Sequence, residues 1–176
     1  MDRSRVKTLF LLRHAKSSWE DASVPDHDRP LAARGERAVR LIASHVARAG
    51  IRPALVLCSS ARRAQDTLDA VAASLGDDAE HRVEDDLYGA SADDLLRRLR
   101  AVEAGTASVL VVGHNPGLHD LAADLTGDGD EQAVAQLHTK FPTGALARLD
   151  LGGIEWHDLG RGSAYLQSLV VPRQLD

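Results

Sequence analysis

The sequence predicts an α/β fold: a three-layer αβα sandwich around a central, mostly parallel sheet. Three apolar runs carry this reading, "VKTLFLL" (Val6 to Leu12), "ALVLCS" (Ala54 to Ser59) and "SVLVVG" (Ser108 to Gly113). None alternates with polar residues, so each reads as a strand buried on both faces. Helical patterns lie between them, and alternating strand and helix imply parallel pairing. The end of the chain differs: "ALARLDLGGIEWHDL" reads as two alternating strands joined through Gly152-Gly153 as a hairpin.

The elements follow in order from local chemistry. After the first strand, Val24 to Arg34 is rich in Asp and Pro and reads as a loop. Ala38, Leu41, Ile42, His45, Val46 and Ala49 then recur at three- and four-residue spacing, which predicts a helix stopped by Gly50. Past the second strand, Arg63 to Leu75 repeats the pattern through Ala64, Thr67, Leu68, Val71 and Leu75, and Gly76 closes it. A third helix begins at Ser91, an N-cap with Asp94 three places on, and carries Leu95, Leu96, Leu99 and Val102. Gly127 to Gly144 reads as a second long loop over one end of the sheet. The length fits one domain over residues 1–176.

Composition narrows the function classes. A net charge of −5 argues against nucleic acid or anionic membrane as a general partner, so any positive charge must be local. The single cysteine, Cys58, can form neither an internal disulfide nor a thiolate metal cage. The N-terminus lacks a signal-peptide pattern and no apolar run approaches the ~18 residues of a membrane span. A cytoplasmic protein is expected.

Each apolar run ends in a chemical cluster. Arg13 and His14 follow the first, Arg62 and Arg63 within "SSARRAQDT" follow the second, and His114 and Asn115 within "GHNPG" follow the third. In a parallel sheet these junctions share one edge, the carboxyl ends of the strands, where open α/β folds place ligands. Two histidines with two or three guanidiniums suit a dianionic, oxygen-rich group, above all phosphate. A neutral imidazole can attack phosphorus to give a phosphohistidine, while the second histidine donates hydrogen bonds to the equatorial oxygens. The nearby arginines disfavour protonation of the nucleophile, and backbone N–H groups where helices begin after Ser59 and His114 add anion donors.

These clusters carry a resemblance. "LLRHAKSSW" resembles the R-H-G element of the histidine phosphatase superfamily, the phosphoglycerate-mutase-like group, with Ala15 in place of glycine. "SSARRAQDT" resembles its S-x-x-x-R-A-x-x-T element, and "VVGHNPGL" its second-histidine element, all in the family's order. The resemblance implies His14 as nucleophile, Arg13 and Arg63 as phosphate-binding arginines, and His114 as the second histidine. Ser17 and Asn115 are further candidates for substrate contact, with Lys16 and Ser18 beside them. Arg62 falls outside the frame and is expected at the rim. "RHAKSSW", "LYGAS" and "GHNPGLHDLA" together are most similar to the short bacterial phosphohistidine phosphatase branch.

The family's general acid has no clear counterpart, leaving Glu84, Asp85 and Asp86 as candidates in "HRVEDDLYGAS". A phosphoramidate leaves as an amine that needs less protonation than a sugar alkoxide, so phosphohistidine on a protein is the favoured substrate. A small phosphorylated metabolite is the alternative, and a non-catalytic phosphate-binding module a second. No metal or cofactor is expected, because H-x-H, H-E-x-x-H and glycine-rich nucleotide elements are missing. A cysteine phosphatase would need an arginine six residues after Cys58, where Ala64 stands. Among the rest, His45 falls on the apolar face of its helix and is expected as a packed or edge histidine, and His27, His81 and His157 are expected on the surface. His119 and His138 are weaker candidates for the mouth of the site, Trp19 covers that mouth or staples a loop, and the "DHD" at Asp26 to Asp28 lies in solvent, orients Arg13 or repels small anions.

Overall fold

The computed structural model describes residues 6–176. Its elements run β1 (Thr8–Arg13), α1 (Ala33–Ala49), β2 (Leu55–Ser59), α2 (Arg62–Ala72), β3 (Glu80–Glu84), α3 (Ala92–Arg100), β4 (Ser108–Gly113), α4 (Gly117–Leu125), β5 (Thr126–Gly129), α5 (Glu131–Thr139), β6 (Leu146–Asp150) and β7 (Ala164–Val170). They form one seven-stranded sheet in the order β3-β2-β4-β1-β6-β7-β5. Only β6 runs against the others, pairing antiparallel with β1 and β7.

The period of two along each buried strand separates two cores. Leu9, Leu11, Leu55, Leu57, Val109 and Val111 face α3, α4 and α5, whereas Phe10, Leu12, Val56, Cys58, Leu110 and Val112 face α1 and α2. The continuous apolar runs therefore serve two layers at once. Each fully buried Leu or Val contributes roughly 1.5–3 kcal/mol, so the middle of the sheet is the rigid base for the residues at its edge.

Three expectations change. The buried stripe of α1 is Gly35, Val39, Ile42 and Val46, rotated by one residue from the predicted face, with His45 only half-buried at its border. Gly127 to Gly144 is not a loop but contains β5 and α5. The glycines of β5 hide it from sequence patterning, yet a Cβ at Gly127 would strike the Gly162 carbonyl, so they permit close backbone approach. The hairpin after β6 closes with β7, not with "IEWHDL", where Trp156 lies in a single 3-10 turn, buried, and donates its indole N–H to the Thr106 carbonyl at 2.7 Å. Edge strand β3 was unreadable from periodicity because it is almost wholly exposed and charged, as a protected sheet edge is.

Two predicted ends fit the structure closely. Ser91 caps α3 in a reciprocal capping box with Asp94, and Gly50 ends α1 at φ 65°. The start of α1 also braces the loop after β1. The Ala32 N–H donates to the Lys16 carbonyl at 2.9 Å, and a Cβ at Gly35 would collide with that same carbonyl. Gly35→Ala is expected to lower stability by about 1–3 kcal/mol, read as a fall in the urea midpoint. Gly105→Ala, whose Cβ would meet nothing within 4 Å, should leave the midpoint unchanged.

Candidate active site

The carboxyl ends of β1, β2 and β4 lie side by side, in register at Arg13↔Gly113. The chain turns immediately after this row. The His14 N–H donates to the Gly113 carbonyl at 3.0 Å, and the Gly144 N–H approaches the carbonyls of Arg13 and His14 at 3.1 Å each. The Ala15 N–H donates to Thr67 Oγ1 at 3.0 Å, and that hydroxyl donates on to the Arg63 carbonyl at 2.7 Å. Thr67 thus ties the turn after β1 to the first turns of α2. Ala15 fits without a positive φ, which among the described residues only glycines adopt, so the alanine is accommodated.

This turn fixes the chemistry of His14. Its Nδ1 lies 2.7 Å from the Ala15 carbonyl oxygen. A carbonyl can only accept, so Nδ1 carries the proton and Nε2 keeps its lone pair. Burial pushes the His14 pKa down to about 3, opposed by the Ala15 hydrogen bond and reinforced by His114, Arg63 and Arg13. The ring is neutral at ordinary pH, with its Nε2 lone pair free.

His14 and His114 stack obliquely, with ring centroids 5.1 Å apart. His114 Nε2 is 2.7 Å from Ser59 Oγ, which also accepts from the Ala61 N–H at 3.2 Å. Burial, and then Arg63, bring the His114 pKa down to about 4 against the opposing pull of Asp26. Arg13 donates Nη1 to the Phe141 carbonyl at 3.1 Å, and burial followed by Arg63 lowers its pKa. Buried Arg13 Nε, His114 Nδ1 and Asn115 Oδ1 have no protein partner among the described residues. Such groups mark a polar pocket that its own side chains do not saturate.

The structure brings Arg13, His14, Arg63 and His114 together and sorts the adjacent arginines. Arg63 is buried, while Arg62 turns outward to Asp66. The secondary candidates stand in different places. Ser17 is buried and accepts from Arg29 Nη1 at 2.7 Å, and Asn115 Nδ2 donates to the Phe141 carbonyl at 2.8 Å, so both have structural partners. Glu84 faces Arg98, whose Nε lies 2.6 and 2.8 Å from its two oxygens. Asp85 and Asp86 sit exposed in a single 3-10 turn. The carboxylate that joins the cluster is instead Asp26. It holds Arg63, not Arg13, through its carbonyl at 2.7 Å and Oδ2 at 3.1 Å, and it pairs with Arg29 at 2.8 Å. The Tyr88 hydroxyl donates to Asp26 Oδ2 at 2.6 Å and, ahead of Arg29, keeps this carboxyl well below the usual range.

Two aromatic residues at the mouth escaped the sequence reading. His27 is not a free surface residue: its Nε2 lies 2.9 Å from Ser60 Oγ and its ring meets the Tyr88 ring edge-on at 4.8 Å. Tyr88 in turn meets His114 edge-on at 5.8 Å. "LYGAS" was visible, but nothing local to it says that Tyr88 reaches Asp26 across 62 positions. His119 braces the Leu137 carbonyl at 2.6 Å rather than lining the mouth, and His138, His81 and His157 are exposed. Trp19, 73% exposed, is covered by the Arg29 guanidinium at 3.5 Å from the ring centroid. Cys58 is buried, and that burial raises its pKa to about 12, which makes it a poor nucleophile.

The fold and geometry define an α/β site of paired histidines and arginines at the carboxyl ends of the central strands. The model of the histidine phosphatase superfamily (branch 1) matches residues 9–95. A relative in Mycobacterium tuberculosis strain H37Rv, the uncharacterized protein Rv1276c, is 41% identical over 92% of this chain and 100% of its own length. The uncharacterized chloroplastic protein At3g52155 of Arabidopsis thaliana is 30% identical over 94% of this chain and 78% of its own. A Nakamurella multipartitia structure provisionally named phosphohistidine phosphatase SixA superposes with TM-score 0.78 at 32% identity, covering 95% of this chain and 96% of that one. The protein histidine phosphatase SixA complexed with tungstate gives 0.76 at 26% identity, covering 96% and 99%. The chain belongs to the histidine phosphatase superfamily, branch 1, and has its phosphoglycerate-mutase-like fold.

The two depressed histidines make stability depend on pH. The unfolded chain binds protons on these rings below about pH 6.5 while the folded protein does not until about pH 3 for His14 and about 4 for His114. Stability should therefore be flat above pH 6.5 and fall as the pH drops toward 4. Urea midpoints measured at pH 7, 6, 5 and 4 should show this slope, and His14→Gln/His114→Gln should flatten it.

Proposed function

We propose that the protein is a metal-independent phosphatase that acts through a covalent phosphohistidine on His14, and that its substrate is phosphohistidine on a protein. The observation that carries this reading is the neutral His14 ring, its Nδ1 bound to the Ala15 carbonyl, among Arg13, Arg63 and His114. The Nε2 lone pair forms a bond to phosphorus as the bond to the leaving nitrogen breaks, and the departing imidazole takes a proton from solvent. Water then attacks the phosphorus on His14, releases inorganic phosphate and restores the neutral ring. The guanidiniums balance charge on the equatorial oxygens, and the neutral His114 ring offers them a hydrogen bond.

The choice of leaving group rests on the carboxylates. Glu84 is engaged by Arg98, and Asp26 is held in its charged form by Tyr88 and Arg29, which suits a hydrogen-bond acceptor rather than a proton donor. Phosphoramidates tolerate a site without a strong acid better than sugar phosphates do. The SixA relatives named as phosphohistidine phosphatases support the same substrate class.

The test compares kcat/KM on a histidine-phosphorylated protein, an aryl phosphate and a panel of sugar phosphates. Turnover of the phosphoprotein should exceed that of every sugar phosphate, persist in chelator, stop with vanadate, and vanish in His14→Ala. Arg63→Ala should lose about 10²–10³-fold, as expected for removal of a principal charge-stabilising donor. Activity lost to chelator and restored by a divalent metal would contradict the imidazole route, and a preferred sugar phosphate would make the protein a metabolite phosphatase.

A further inference from the structure

The net charge of −5 conceals a strongly basic cavity. A space of about 550 Å³ is lined by Lys16, Arg34, Arg37, Lys140 and Arg173, with Asp176 as the one acid on its wall. None of the five cations has an ion-pair partner among the described residues. Their clustering is electrostatically unfavourable in isolation. Arg34 lies in the first turn of α1 and Arg37 just beyond it, near the positive end of the helix, where acidic residues are the stabilising choice.

The cavity adjoins the candidate active site through shared backbone. Lys16 lies two residues beyond His14. Lys140, Pro142 and Thr143 line the cavity, whereas the carbonyl of Phe141 between them accepts from Arg13 and Asn115. The next residue, Gly144, directs its N–H to the Arg13 and His14 carbonyls. One short segment therefore faces the cationic cavity and fixes the end of β1. The two sites lie on either side of the same turn, so a ligand occupying both must carry its phosphoryl group and its additional negative charges on separate parts of one body. A protein surface meets that requirement, whereas an ester whose only anionic group is its phosphoryl group does not.

We propose that this basic cavity is a docking subsite for carboxylate-rich protein surface next to the phosphorylated residue of the substrate. The proposal rests on the phosphoprotein reading above. Asp and Glu side chains of the partner supply the charge that the cavity lacks, and the exposed position of its cations favours faster encounter and a lower KM over any change in the chemical step.

The test uses the whole protein and Arg34→Glu/Arg37→Glu, whose new carboxylates suit the start of a helix, with a thermal melt to verify folding. For a histidine-phosphorylated protein bearing acidic residues near the modified site, the variant should raise KM by about tenfold or more with kcat retained. Aryl phosphate kinetics should stay unchanged, and the KM difference should shrink in high salt. A second arm measures fluorescence anisotropy of an unphosphorylated aspartate-rich peptide: wild type should bind it with or without vanadate, and the variant should not. If wild type turns over no phosphoprotein, the proposed substrate fails while the peptide arm still decides the cavity. An unchanged KM, an equal loss on aryl phosphate, peptide binding that is absent or the same in both proteins, or binding of tripolyphosphate without the peptide would overturn the docking proposal.

Discussion

The site depends on one hydrogen bond, from Nδ1 of His14 to the carbonyl of the residue that follows it. An imidazole can present its lone pair on either nitrogen, and only one of them can be aimed at a substrate. A carbonyl partner decides between them because it has no proton to give. Holding that carbonyl under the ring is then a backbone problem. The sheet solves it with the His14 N–H on β4, Gly144 on the end of β1, and Thr67 of α2 on the Ala15 N–H. The order β2-β4-β1-β6 at the centre of the sheet is thus what sets the protonated nitrogen of one ring.

The second constraint is charge. Two histidines and two arginines share a buried space, and burial first, with the neighbouring positive charges adding to it, keeps both rings neutral. Asp26 offsets part of this positive field from the loop before α1. Both terminal nitrogens of Arg63 are directed at Asp26, which fixes the plane of the guanidinium beside the two histidines. Tyr88 and Arg29 hold Asp26 in turn, which links the guanidinium to the loop before α1 and the loop before α3. Preorganisation of this kind places donors before charge develops, where they act most strongly.

Much of this was legible in the chain. Buried parallel strands leave uninterrupted apolar runs, and β1, β2 and β4 were readable for that reason, as were the Arg13, His14, Arg63 and His114 junctions at their ends. The unread parts fail on identifiable physics. Edge strand β3 has no buried face, β5 is built on glycines, and the second arm of the terminal hairpin begins only after the Trp156 turn. Asp26 and His27 lie in the loop before α1 and Tyr88 in the loop before α3, with no periodicity to tie the two together, and only the folded chain brings them to Arg63 and His114. Glu84 looked available beside the site because the sequence could not show Arg98 of α3 turning back to it.

The most direct test of the central claim is the protonation of the His14 ring, read by nitrogen-15 NMR of histidine-labelled protein between pH 5 and 8. The expected result is a neutral ring throughout, with the proton on Nδ1 and an unprotonated Nε2, as the Ala15 carbonyl requires. A ring protonated on Nε2, or one that becomes cationic near pH 6.5, would contradict it, because the nitrogen assigned to attack phosphorus would then carry a proton.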